Sequence, residues 1–325
     1  MKRREFAASV AMAVAMPGSS VGQTGKRVAR VGWIGWRGNT SPVPSVPLEA
    51  LREGLVDLGW REHDNLVLEV REGDRGQAAA LAADLVRAGV EVIVAVGPMV
   101  FAARAQAGNV PVVFNINGDP IEAGLVASLA RPGGSLTGIT ALSTELAGKR
   151  LELLGGVRPG INRVAVLAND RHPGRRIEHD ATELAAKRLG VALKYFPVVA
   201  AADFEPAFAA IAQDGAKAVL AFPDTLINAH ARAIAEFAQK QRLPSISGWS
   251  EFALGGNLLS YGPTHREFFR LAASYVDKLL RGAKAADLPV EQPARFELVV
   301  NRQAAKSMAL NLPQALLLRA DKVIE

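Results

Sequence analysis

The chain has 325 residues, 49% of them hydrophobic, enough for one large core or two modest ones, and the length favours two. Aromatics are scarce at 6% and cysteine is absent, which excludes disulfides, thiolate metal sites and cysteine nucleophiles together. The formal charge is +6, but the basic residues are scattered with no aromatic-interleaved stripe, so no nucleic-acid footprint is present.

The N-terminus reads as an export signal. Lys2-Arg3-Arg4 is a basic n-region, Phe6 to Met16 is an apolar run broken by Pro17-Gly18, and Ser20-Val21-Gly22 supplies small residues for cleavage. The order Arg3-Arg4-Glu5-Phe6 resembles a twin-arginine signal. This 11-residue run falls short of the roughly 20 that span a bilayer, which argues against a membrane anchor. Removing residues 1–22 takes away three basic groups and one acid, leaving a charge of +4.

Beyond the signal, strands and helices alternate. Arg30 to Trp36 reads as a strand, Leu48 to Leu58 as a helix with apolar residues at helical spacing, and Leu66 to Val70 as a strand. Helix Gln77 to Ala88, strand Val90 to Val96 and helix Val100 to Ala107 follow. They lead into strand Val112 to Ile116, a short helix Ile121 to Leu129, and strand Leu136 to Ile139. The pattern resumes with helix Ala147 to Leu154, strand Arg163 to Leu167, helix Ile177 to Leu189 and strand Ala192 to Val198. Asp203 is expected to cap helix Phe204 to Ala212. Strand Ala218 to Phe222, helix Ile227 to Gln241 and strands Pro244 to Ile246 and Asn257 to Ser260 come next. A long amphipathic helix, His265 to Leu280, precedes a last strand, Phe296 to Val300, and a C-terminal helical segment.

Such alternation signals parallel βαβ units. The expected fold is α/β, with two doubly wound parallel-sheet lobes joined by a multi-strand hinge. The N-terminal lobe takes 28–142 plus 262–290, and the C-terminal lobe takes 143–261 plus 291–325.

In open parallel sheets, ligands sit outside the carboxyl ends of the strands. That rule places Trp36, Thr40, Ser41, Gly97, Pro98, Met99, Asn117 and Asp119 on one rim of a shared cleft. Asn169, Asp224, Trp249 and Glu251 lie on the other, with Tyr261 at the crossing. Hydroxyls and free N–H groups at helix starts suit a carboxylate, Asp224 or Glu251 suits an amine, and an aromatic face suits an apolar body. Simpler roles stay open. Asp119 and Asp224 are equally good helix caps, Tyr261 can stiffen the hinge, and Glu251 can pair with a surface arginine. Of Trp33 and Trp36, the second is assigned to the cleft and the first to the core.

Catalytic motifs fail. Gly18-Ser19-Ser20-Val21-Gly22 has the spelling of a nucleophile elbow but no strand before it. Gly148-Lys149 lacks the remainder of a phosphate-binding loop, and the histidines show no metal-ligand spacing. Neither an enzyme nor a cofactor is expected.

Six segments stand out along the chain: Arg52-Glu53-Gly54-Leu55 with Leu58-Gly59, Ala82-Ala83-Asp84-Leu85-Val86, and Gly118-Asp119-Pro120 with Gly124 to Gly134. Gly148-Lys149-Arg150-Leu151-Glu152-Leu153-Leu154, Ser260-Tyr261-Gly262-Pro263 and Pro293 to Asn301 complete the set. Together they resemble the type I periplasmic binding proteins of ABC importers, and among them the tryptophan/tyrosine transporter substrate-binding branch. The resemblance departs at Pro223-Asp224-Thr225, where members that bind aromatic amino acids tend to carry Thr-Asp-Asn. It implies a periplasmic receptor that captures a small polar or amphipathic ligand, an amino acid being one candidate, and delivers it to an ABC permease and ATPase complex. A module feeding a membrane receptor or kinase is the alternative of the same fold, and an enzyme on this scaffold a minor one. A repressor's effector domain is disfavoured by the export signal.

Overall fold

The computed structural model describes residues 27–36, 46–141, 144–172 and 174–325. The expected export signal, and the loop carrying Thr40 and Ser41, lie outside these residues.

The first sheet is built from β1 (Ala29–Trp36), β2 (Leu66–Gly73), β3 (Val92–Val96), β4 (Val112–Ile116) and β5 (Leu136–Thr140). Its order is β2-β1-β3-β4-β5, and every pairing is parallel. Intervening helices are α1 (Val46–Asp57), α2 (Ala78–Arg87) and α3 (Met99–Gln106). The second part contributes α4 (Thr144–Gly155), β6 (Arg163–Asn169), α5 (Arg175–Leu189), β7 (Ala192–Val198), α6 (Phe204–Asp214) and β8 (Ala218–Ala221). It continues through α7 (Thr225–Ala229), α8 (Ala231–Gln241), β9 (Ser245–Ser247), α9 (Ser250–Leu254) and β10 (Leu259–Gly262). After α10 (His265–Leu280) come β11 (Glu297–Asn301), α11 (Arg302–Ser307), α12 (Gln314–Leu318) and β12 (Lys322–Ile324). The second sheet runs β12-β11-β10-β9-β8-β6-β7, parallel except where β10 meets β11.

Both faces of each sheet are covered, which is why the inner strands are almost unbroken apolar runs. On the first sheet, Leu51 and Leu55 of α1 meet Phe268, Phe269, Ala272 and Val276 of α10 on one face. Ala82 and Leu85 of α2 and Val100 of α3 cover the other. Helix α10 is the element that crosses over: it follows the second sheet's β10 in the chain yet packs on the first sheet. Its apolar stripe repeats at helical spacing, and the Thr264 hydroxyl caps it by accepting from the Glu267 amide at 3.2 Å. Glu291, beyond α10, still bridges to Ile139 of β5 before the chain returns to β11. Several strands of chain therefore join the halves.

Three local expectations differ. Residues 121–129 form a turn and no helix, because Asp119 closes one loop onto the Ile121 and Glu122 amides and Gly124 adopts φ +65° straight after it. The single helix expected over 227–241 is two, broken at His230, whose Nδ1 lies 2.8 Å from the Leu226 carbonyl. Asp203 closes the turn before α6 by accepting from the Val199 and Ala200 amides, and makes no bond to the helix's own amides.

Gly138 shows how closely β4 and β5 approach. A Cβ there would sit 2.6 Å from the Phe114 amide nitrogen and collide with its carbonyl oxygen. Gly138→Ala is expected to destabilise the fold by about 2–3 kcal/mol or more, read as a lower urea midpoint with unchanged m.

Candidate ligand-binding cleft between the sheets

The carboxyl ends of β1, β3 and β4 face those of β6, β8 and β9 across a cavity of about 1060 Å³. Of the residues expected at the rims, Trp36, Gly97, Pro98, Asn117, Asp224, Trp249 and Glu251 line it. Met99, Asp119, Asn169 and Tyr261 do not, and each has a physical reason. Met99 opens α3 and turns into the core beside Ile93 and Phe114. Asp119 is held by the amides of its own turn. Asn169 lies one layer behind, donating from Nδ2 to Asp224 Oδ1 at 2.9 Å. Tyr261 packs into the second core near Phe296. Trp33 and Trp36 are not divided between core and cleft. Trp33 is buried and lines the cavity as well.

Aromatic rings join the two sides. Trp33 approaches Phe269 with centroids 5.7 Å apart, Phe269 meets His265 at 6.0 Å, and His265 and Trp249 form a T-shaped pair at 4.0 Å. Three of the chain's four tryptophans line this cavity, so an aromatic-poor sequence concentrates its largest flat surfaces in one place.

Polar contacts cross the gap. His172, just beyond β6, is the chief one. Its Nε2 lies 2.7 Å from the Asn117 carbonyl of the opposite rim, and its Nδ1 lies 3.3 Å from Asp224 Oδ2. Both ring nitrogens face acceptors, which only the doubly protonated ring can satisfy. Burial opposes that charge, but the hydrogen bond and charge of Asp224, the charge of Glu178 and the Asn117 carbonyl outweigh it, and the pKa of His172 is raised. Burial likewise opposes ionisation of Asp224, yet His172, Asn169 and the Leu226 amide hold its pKa low. The Asn117 side-chain amide donates to the Pro223 carbonyl in the same crossing. Farther along, Glu251 of α9 meets His265 Nδ1 at 2.8 Å, and Arg176 meets Glu122 at 3.1 Å. Gly97, at φ +56°, has no side chain to press on Thr225 of the other rim; a Cβ there would lie 3.1 Å from the threonine methyl.

Below His172 the charges continue inward. Glu178 pairs with Arg150 Nη1 at 3.1 Å, and Arg150 Nε donates to the Tyr261 carbonyl at 2.9 Å. The result is a buried row of alternating charge: Arg150, Glu178, His172 and Asp224. Metal-ligand spacing does not point to His172 or His265, since neither acts through a sequence neighbour. The strand-end rule finds His172, which falls three residues past β6.

The model of the family described as "ABC transporter substrate binding protein" matches residues 46–324. A tyrosine-binding protein of Clostridioides difficile (strain R20291) is 24% identical over 261 residues, covering 79% of this chain and 74% of that one. A Streptococcus pneumoniae ABC domain solved in complex with L-Trp superposes with a TM-score of 0.84 at 21% identity, over 91% of this chain and all of that one. A conserved domain protein of Vibrio cholerae O1 biovar eltor gives 0.83 at 24% identity with the same coverage. At these identities the solved structures establish the two-lobe fold.

Proposed function

The chain belongs to the ABC transporter substrate-binding protein family, and from that premise we propose that it captures a small, flat, amphipathic solute between its lobes for an importer's permease and ATPase. The observation that carries this reading is the cavity itself. It is walled by aromatic rings from both sides and rimmed by contacts that exist only while the rims meet. We draw the lobes at 28–142 with 262–290 and at 143–261 with 291–325. A solute touching both rims adds its binding free energy to the shut form alone, so its arrival shifts the open–shut equilibrium. The relatives named above bear the names of tyrosine and L-Trp, which supports an aromatic body in the solute.

Substrate-binding proteins of ABC importers usually meet their solutes outside the cytoplasm, and the chain belongs to that family. We place this one in the periplasm, exported by a cleaved signal of the twin-arginine kind at residues 1–22. No helix among the described residues is long and apolar enough to cross a membrane. The protein binds its solute and does not transform it, in keeping with a family of binding proteins. Mass spectrometry of solute released from the periplasmic protein, followed by melting with that solute added back, tests the reading. A solute at 100 times its Kd is expected to add about 2.7 kcal/mol of stability. Absence of any released or added solute that raises the Tm would overturn it.

A further inference from the structure

Resting on that capture reading, we infer that the solute is an aromatic carboxylate without a cationic amine. The cavity wall presents its acids already engaged and its strong donors free.

The acids come first. Asp224 Oδ1 accepts from Asn169 Nδ2 at 2.9 Å and from the Leu226 amide at 2.8 Å, and its Oδ2 faces His172. Glu251 is bound to His265 at 2.8 Å and Glu236 to Arg232 at 3.0 Å, and Glu72 is likewise partnered. An ammonium entering at Asp224 or Glu251 would compete with the histidine already paired there, and Glu236 is held in an exposed pair with Arg232. At Asp224 that partner is a buried imidazolium, which would be left without its counter-ion.

The donors are differently placed. Arg75 follows β2 on one rim and Arg171 follows β6 on the other; both line the cavity, and neither guanidinium meets an acidic partner among the described residues. On the same cavity wall, the buried Trp33 Nε1 has no acceptor. A Cβ at Gly35, itself a lining residue, would come within 2.6 Å of that nitrogen, so glycine there is what lets the indole lie against β1, and a carboxylate reaches this N–H only if the ring shifts on binding. Guanidinium and indole N–H groups are strong partners for a carboxylate, and the tryptophan faces suit the ring that carries it.

Calorimetry on the full mature chain at neutral pH tests this with indole-3-acetate, L-tryptophan and tryptamine, which share one ring system and differ in charge, and with the smaller set phenylacetate, L-tyrosine and tyramine. The acid of each set is expected to bind at least about tenfold tighter than the amino acid, equivalent to about 1.4 kcal/mol, and the amine not at all. Arg171→Gln and Arg75→Gln are each expected to weaken the acid about tenfold while leaving the melting temperature of the free protein unchanged. Amino acids binding as tightly as the acids, or both arginine variants retaining full affinity, would overturn the inference and leave capture intact. Silence from all six compounds also overturns it, and capture then stands or falls on whether a released solute raises the Tm.

Discussion

Arg150→Met is expected to destabilise the protein by about 3–5 kcal/mol, because it strands a buried carboxylate. The Arg150 and Glu178 side chains are only 3% and 4% exposed, so water cannot take over the lost partner. Glu178 Oε2 has no hydrogen-bond partner even now, so the carboxylate depends on charge and on its one bond at Oε1. The same change frees the Tyr261 carbonyl, one residue from the end of β10, where the chain turns toward α10. A fall of about 10 °C in Tm follows from the size of the penalty. Burial already raises the Glu178 pKa, against the opposing charges of Arg150 and His172. Losing Arg150 raises it further, so protonation relieves the variant, and its deficit should shrink as the pH falls from neutral toward 5. Arg150→Met combined with Glu178→Gln should recover most of the loss. A single variant as stable as the parent at neutral pH would mean the pair is no more than packing.

His172→Leu is expected to weaken solute affinity about 10- to 100-fold, the equivalent of the roughly 1.5–3 kcal/mol carried by a hydrogen bond from a charged donor. The loss falls on the shut form, since the Asn117 carbonyl belongs to the opposite rim and is met only when the rims touch. Asp224 keeps its bonds to Asn169 and the Leu226 amide, so the fold survives. The pH dependence has a definite sign. The His172 pKa is raised in the shut, folded protein, so its contribution is complete below the ordinary value of about 6.5 and is lost as pH climbs through the raised value. The Asp224 pKa is lowered, so its contribution is present above the ordinary carboxylate range and is lost as pH falls through the lowered value. Affinity should therefore decline on the alkaline side in the parent, and that decline should vanish in His172→Leu. His172→Gln keeps a donor for the Asn117 carbonyl without the charge and should fall between them. An identical alkaline decline in the leucine variant would assign the titration to another group.

Much of the architecture is visible in the sequence because sheets covered on both faces demand short apolar runs bounded by turn formers, as at Val112 to Ile116. Two runs of such units mark two sheets. Helix character is harder to read where one residue decides it. Gly124 ends the 121–129 segment after one turn, although its apolar spacing matches a helix. In the cleft, the strand-end rule locates neighbourhoods and leaves side-chain direction open. Gly97, Pro98 and Met99 are consecutive, yet only the first two line the cavity, since Met99 starts α3 facing inward. Asn169 and Asp224 both lie past strand ends, and only contact geometry makes one the support of the other. His172 acquires its character from Asn117, 55 residues earlier, and from Asp224 on a different strand end, a constellation no local spacing encodes.

Small-angle scattering of the full mature protein, with and without the solute released from it, tests the central claim most directly: that the halves shut on something small. Compaction on adding solute, reduced in His172→Leu at the same concentration, is the expected result. A radius of gyration that stays constant while calorimetry reports saturated binding would contradict capture by closure.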